Sequence, residues 1–141
     1  MLFGSYQHFL DDKGRLVIPS QLRINISDKL FVLKGYEGSL RVYPQEAFNA
    51  YLSHLAELDS ESKLARDVQR VALASVVELS IDSKNRVQLP QSLIEKYCIS
   101  NNVVVVGMLD HLEIWNANLW EKYSKENEFK FEEKSEELLS K

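Results

Sequence analysis

The chain has 141 residues, of which 45% are hydrophobic and 27% charged, a composition that supports one folded core and excludes a disordered chain. The single cysteine excludes an intrachain disulfide framework, and the longest apolar run is too short to cross a bilayer. Seventeen basic and 21 acidic residues give a net charge of −4, which excludes a broadly basic surface of the kind that attracts polyanions.

The first half of the sequence predicts a β-hairpin, a second pair of strands and a helix. A segment of alternating polar and apolar residues leads through a turn at residues 11–15 to a short strand that ends at Pro19. Gly14 readily adopts the positive φ of a tight turn. The predicted strands that flank this turn and follow it include residues 6–10, 30–33 and 40–43. The helix is predicted from an apolar stripe that consists of Phe48, Tyr51, Leu52, Leu55 and Leu58.

The second half repeats this order after a linking helix. The link, at about residues 61–73, is expected to pack into the core through an apolar stripe of Leu64, Val68, Val71 and Ala72. The predicted strands of the second half include residues 77–81, 103–106 and 112–115. Asn116 is a good N-cap for the last helix, and the alternating Lys and Glu residues beyond Tyr123 predict a solvated tail.

The two halves are copies of one module. The segment LDDKGRLVIPSQL recurs 71 residues later as IDSKNRVQLPQSL, with Asp, Lys, Arg, Pro and Leu in the same order. Farther along, the matches have an offset of 72, as between Tyr43 and Trp115. The sequence therefore predicts a duplication. Its four segments are residues 1–59 as the first repeat, 60–76 as the linking helix, 77–125 as the second repeat and 126–141 as a charged C-terminal tail.

Side chains with catalytic or metal-binding chemistry form no recognisable motif. His8, His54 and His111 lack the spacing of metal ligands, and Cys98 is expected to be a small buried residue without reactivity. The sequence contains no glycine-rich phosphate loop and no nucleophile elbow. We therefore expect a protein that is not an enzyme and that needs no metal or cofactor.

The duplicated turns carry the pattern D-x-x-x-R, with Asp11 and Arg15 in the first copy and Asp82 and Arg86 in the second. Each aspartate can accept backbone N–H bonds and pair with its arginine, which is a purely structural role. Each guanidinium can instead reach a phosphate, or O6 and N7 of guanine. The predicted DNA-binding residues are these four together with the lysines and the turn residues between them, Lys13, Lys84, Gly14 and Asn85.

Each turn alone is a weak electrostatic site. The charges of residues 11–15 sum to zero, and those of residues 82–86 sum to +1. Several such turns on one face of an assembly would bind spaced repeats in DNA through a high effective concentration. The modest charge therefore predicts a homo-oligomer.

The stretch GSYQHFLDDKGRLVIPSQLR and the second copy around IDSKNRVQLP resemble the MraZ family of bacterial transcriptional regulators, over about residues 1–125. The resemblance implies an α+β fold of two tandem AbrB-like swapped-hairpin repeats, which form an intrachain pseudo-dimeric β-barrel with flanking helices. It also implies a ring-shaped homo-oligomer that binds promoter direct repeats in double-stranded DNA upstream of the division and cell-wall gene cluster. In the family the D-x-x-x-R turns are the contacting element. Two positions depart from the pattern, since Asn85 replaces a common glycine and Ser83 stands where the first copy has Asp12.

The sequence contains no secretory signal, so we expect a cytoplasmic, nucleoid-associated protein without a membrane partner. The alternative function is a protein–protein scaffold or an antitoxin-like partner of the same fold, which the acidic balance and the charged tail favour. A scaffold would show no sequence preference for DNA, whereas a regulator would prefer spaced repeats.

Overall fold

The computed structural model describes residues 1–20 and 28–140, which form a six-stranded sheet, a two-stranded ribbon and five helices. The strands are β1 (Ser5–Phe9), β2 (Arg15–Val17), β3 (Lys29–Lys34), β4 (Leu40–Pro44), β5 (Val77–Ser80), β6 (Arg86–Gln88), β7 (Asn102–Met108) and β8 (His111–Asn116). The helices are α1 (Gln45–Ala56), α2 (Lys63–Ala74), α3 (Gln91–Lys96), α4 (Ala117–Phe129) and α5 (Phe131–Leu139).

The strands of the two repeats alternate within the large sheet. Its order is β1-β7-β8-β4-β3-β5, and every neighbouring pair is antiparallel. The first strand of each repeat therefore pairs with a strand of the other repeat. Strand β1 pairs with β7, and β5 pairs with β3. Exchanging β1–β4 for β5–β8 reproduces the same order, so the fold has a pseudo-twofold axis. The central pairs on this axis are Arg41 with Glu113 and Leu16 with Val87.

The α+β class is confirmed, but the described strands do not close the predicted barrel. Strands β1 and β5 are the two edges of the sheet and do not pair with each other. Strands β2 and β6, each only three residues long, pair as a separate ribbon and extend neither edge of the sheet. The main core lies between the sheet and the ribbon, where Leu16 and Val87 are buried together with Leu30, Val32 and Leu112.

A smaller apolar cluster lies on the other face of the sheet. Leu33 of β3 and Tyr43 of β4 are buried there with Phe48 of α1. The ring of Phe48 stacks on Phe31, with 4.3 Å between the ring centroids. Because strand residues alternate between faces, Leu30 and Val32 point into the main core while Phe31 and Leu33 support the helix.

Helix α2 lies within the segment predicted as the link, but its apolar stripe is not in the core. Leu64, Val68 and Val71 are 76%, 45% and 55% exposed, and only Ala72 is buried. The helix packs on β3, and the small Ala72 is the residue of the stripe that reaches the protein interior. The expectation that the stripe packs into the core is therefore wrong for three of its four residues.

The C-terminal segment is helical and largely exposed. No residue of α4 or α5 is fully buried, and Phe129 and Leu139 are 90% and 87% exposed. Among the residues that the structure describes, no helix is both long and apolar enough to cross a membrane.

Candidate functional site

In the first turn, Asp11 organises the backbone around itself. Its Oδ1 accepts hydrogen bonds from the backbone N–H groups of Lys13, at 2.9 Å, and Arg15, at 2.8 Å. Its Oδ2 accepts from Nε of Arg15. The backbone closes the turn, since the N–H of Gly14 donates to the Asp11 carbonyl at 3.1 Å. The carboxylate thus fixes both the turn and the direction of the arginine.

The second turn has the same geometry. Oδ1 of Asp82 accepts from the backbone N–H groups of Lys84 and Arg86, both at 2.9 Å. Its Oδ2 accepts from Nε of Arg86 at 2.8 Å. The N–H of Asn85 donates to the Asp82 carbonyl at 3.0 Å. The two copies of the D-x-x-x-R pattern therefore form the same set of hydrogen bonds.

Positive φ angles occur where the sequence predicts them. Gly14 has φ of 74° and Asn85 has φ of 64°. Asparagine is one of the few side chains that tolerate this region, so Asn85 preserves the turn in the absence of glycine.

The ribbon places Arg15 and Arg86 on one face. Arg15 pairs with Gln88, and Val17 pairs with Arg86. Residues two apart on a strand, and residues directly opposite each other, share a face of the sheet, so both arginines lie on the side away from buried Leu16. Arg86 lies opposite Val17, which is two residues from Arg15 on the neighbouring strand. The Cα atoms of Arg15 and Arg86 are therefore about 8 Å apart.

The two arginine side chains are accessible to a ligand. The side chain of Arg15 is 29% exposed, and that of Arg86 is 24% exposed. Each uses Nε to hold its aspartate, and within the described parts of the chain neither forms a hydrogen bond through its terminal nitrogens. A guanidinium has four further N–H donors beyond Nε. The structural role of the aspartate and a binding role of the arginine are therefore compatible.

Each turn is also held by the opposite repeat. The Gly14 carbonyl accepts from the N–H of Leu89 at 2.9 Å, and the Asn85 carbonyl accepts from Ile18 at 3.0 Å. Nε2 of Gln88 donates to the Lys13 carbonyl at 3.0 Å. Gln88 is not among the predicted site residues, because no local signal in the sequence indicates a contact between residues 75 positions apart.

The lysines of the turns, Lys13 and Lys84, are exposed and lie beside the arginines in sequence. No ion pair between described residues includes either lysine. Their ammonium groups can therefore contact an anion without breaking an internal salt bridge. All eight predicted residues thus lie in two turns joined by one ribbon.

The turn hydrogen bonds lower the pKa of both aspartates. For Asp11 the largest cause is the backbone N–H of Arg15, and partial desolvation acts in the opposite direction. For Asp82 the N–H of Arg86 has the same effect. Donors that stabilise the ionised carboxylate make its protonation less favourable.

The lowered pKa values predict acid sensitivity of the turns. A carboxylate with a lowered folded-state pKa stabilises the fold above its unfolded value, about 3.8 here, and this contribution is lost as the pH falls towards the folded value. We expect Asp11→Asn/Asp82→Asn to have a lower Tm than the parent protein at pH 6, and the difference to shrink below pH 3.8. Thermal melts across this range test it, with Asp12→Asn as the control. A Tm difference that stays constant with pH would contradict the role of the carboxylates.

Other chemistries have little support among residues 1–20 and 28–140. No group of three or more His, Cys, Asp or Glu side chains is arranged there to hold a metal ion. Cys98, expected to be buried, is exposed and has φ of 52°.

Comparisons with known proteins agree with the duplication. The profile of the MraZ protein family, which is also described as antitoxin-like, matches residues 1–71 and again residues 72–141. The chain is 34% identical to a protein named transcriptional regulator MraZ from Mycoplasmoides gallisepticum, over 98% of this chain and 97% of that protein. It is 36% identical to proteins of the same name from Mesoplasma florum and Caldanaerobacter subterraneus, over 98% of this chain and 95% and 96% of theirs.

Proposed function

This chain belongs to the MraZ family, and we propose on that basis that it is a sequence-specific DNA-binding regulator of transcription. Double-stranded DNA with spaced direct repeats is the proposed ligand, in promoters such as that of the division and cell-wall gene cluster. The function is regulatory and not enzymatic, in agreement with the names of the relatives. Its place is the cytoplasm, in association with the nucleoid.

One observation carries the proposal: Arg15 and Arg86 lie on the same exposed face of the β2–β6 ribbon. A two-stranded ribbon is narrow enough to enter the major groove. From there a guanidinium can form two hydrogen bonds with guanine or contact a phosphate, while Lys13 and Lys84 add phosphate contacts. Asp11 and Asp82 orient the arginines, and Gly14 and Asn85 shape the turns.

The fold supports the swapped-hairpin part of the proposal. In each repeat the first strand, β1 or β5, pairs with a strand of the other repeat. An AbrB-like swapped hairpin within one chain would produce this pairing. We retain the division into residues 1–59, 60–76, 77–125 and 126–141 as the proposed units of this arrangement.

Self-assembly compensates for the weak charge of each turn. The protein has a net charge of −4, so one chain has little non-specific affinity for DNA. A ring-shaped homo-oligomer presents many arginine pairs, and engaging several repeats at once multiplies modest contacts. Direct repeats suit such a ring, because neighbouring subunits related by rotation present the same face in the same direction.

Binding to DNA from the protein's own upstream region tests the function. We expect fluorescence anisotropy to show at least about 1,000-fold tighter binding to DNA with spaced direct repeats than to a scrambled duplex. Raising the salt concentration should weaken the binding, as phosphate contacts require. Equal affinity for both duplexes would reject sequence-specific regulation and favour the protein–protein scaffold.

A further inference from the structure

Two grooves occupy equivalent places in the two repeats. The basic groove, about 590 Å³, is lined by three lysines and by neutral residues of α3 and α4, namely Lys34, Lys96, Lys122, Tyr97, Asn116, Asn118 and Leu119, with Gly38 and Cys98. The acidic groove, about 390 Å³, is lined by Glu46 and Asp110 and by apolar residues, namely Met1, Leu2, Pro44, Ala47, Ala50 and Leu109.

The internal repeat relates five positions of the two linings. With the offset of 72 residues, Lys122 corresponds to Ala50 and Asn118 to Glu46. Gly38 corresponds to Asp110 by the same offset. The remaining matched positions are Asn116 with Pro44 and Leu119 with Ala47. These five pairs place the two grooves at related positions of the pseudo-twofold axis, whereas Lys34 and Lys96 have no counterpart among the described residues that line the acidic groove.

The two grooves have opposite charge. Among the described residues, no carboxylate lines the basic groove, and no lysine or arginine lines the acidic one. The three lysines are exposed and take part in none of the ion pairs between described residues. Lys34 lies over the ring of Tyr97, with Nζ 5.7 Å from the centroid. Glu46 is likewise exposed and outside those pairs, and Asp110 contacts His111.

Both grooves also have apolar surface that a partner would cover. Met1 and Leu109 beside the acidic groove are 88% and 64% exposed, and Leu119 in the basic groove is 38% exposed. Protein–protein contacts combine an apolar centre with a polar rim, in which charged groups can pair across the interface. A polyanion such as DNA would suit the lysines alone and would leave the matching acidic groove without a role.

We propose that the basic groove of one copy of this protein binds the acidic groove of the next copy. The inference rests on the homo-oligomer of the proposed function and specifies its contact. Since the two grooves are different surfaces of one chain, the contact is head-to-tail, and such contacts generate rings when the rotation closes. Lys122 and Lys96 would then face Glu46 and Asp110 of the neighbouring copy.

Charge reversal and charge exchange test this contact. We expect Lys122→Glu and Glu46→Lys each to weaken self-association at least tenfold, because each places like charges opposite one another. The combined variant Lys122→Glu/Glu46→Lys should regain most of the assembly. Lys125→Glu, on the same helix but outside both grooves, is the matched control and should assemble like the parent protein. Light scattering over a concentration series at low salt measures the masses, and circular dichroism verifies that each variant is folded.

Each outcome is decisive. Loss of mass in both single variants, with recovery in the combined variant, supports the groove contact. Assembly of the parent protein that neither reversal alters, or reversals that lower DNA affinity without changing mass, would overturn this inference and leave the proposed function intact. A parent protein that remains a single chain at all concentrations would overturn the ring itself.

Discussion

Removing both guanidinium groups, in Arg15→Ala/Arg86→Ala, is expected to lower the affinity for repeat-containing DNA at least 100-fold. A well-placed guanidinium contact with a base contributes about 1–3 kcal/mol of discrimination, and every copy in an assembly would lose two of them. Fold and assembly should persist, because both side chains are partly exposed and lie outside the main core. Each single variant should lose at least tenfold, and anisotropy titration at fixed salt measures the loss.

The control for this result is Arg70→Ala, which removes an exposed arginine of α2 outside the turns. It should bind DNA within about twofold of the parent protein, since one distant charge adds little at ordinary salt. Light scattering and thermal melts on all variants separate a binding defect from a folding defect. The arginine variants could instead unfold or dissociate, while the fraction that stays folded and assembled binds DNA normally. In that case Arg15 and Arg86 stabilise the structure and do not contact DNA.

The second large effect is expected from Gly14→Val, which should lower the free energy of unfolding by about 2–5 kcal/mol. Gly14 has φ of 74°, a region that costs an L-residue about 1–2 kcal/mol and a β-branched residue more. An added Cβ would lie 2.8 Å from Cδ1 of Ile94 and 3.2 Å from the Leu89 carbonyl oxygen, and relieving such overpacking costs about 1–3 kcal/mol. The corresponding fall in Tm is roughly 6–20 °C.

The matched control is Asn85→Gly, at the equivalent position of the second turn. Its φ of 64° suits glycine, so the Tm should change by no more than about 3 °C. Thermal melts of both variants at neutral pH provide the comparison. A Gly14→Val protein as stable as the parent would show that the first turn does not require the observed backbone conformation.

Features encoded by neighbouring residues could be predicted from the sequence. The D-x-x-x-R turns could be predicted because their residue types favour a tight turn. In the first copy, Asp11 accepts a backbone hydrogen bond within the turn and Gly14 has the positive φ that the turn requires. The duplication predicted two equivalent turns, and the structure gives them matching hydrogen bonds. Local signals sufficed here because each turn is stabilised mainly by groups within five consecutive residues.

Features that depend on long-range pairing could not be predicted. The pairing of β1 with β7 joins residues about 100 positions apart, and nothing in either strand specifies its partner. The shared face of Arg15 and Arg86 follows from the register of β2 with β6, which the separate turns do not reveal. The stripe on α2 failed as a core prediction because periodicity shows that a face is apolar but not whether another element covers it.

The most direct test of the whole account is a structure of the protein bound to a duplex that contains its spaced direct repeats. We expect the β2–β6 ribbon to face the major groove, with terminal nitrogens of Arg15 and Arg86 within hydrogen-bond distance of a guanine or a phosphate. Asp11 and Asp82 should still accept hydrogen bonds from the turn backbone. If the DNA instead lies on another surface, with both arginines bound only to their own aspartates, the β2–β6 ribbon is not the DNA-binding surface.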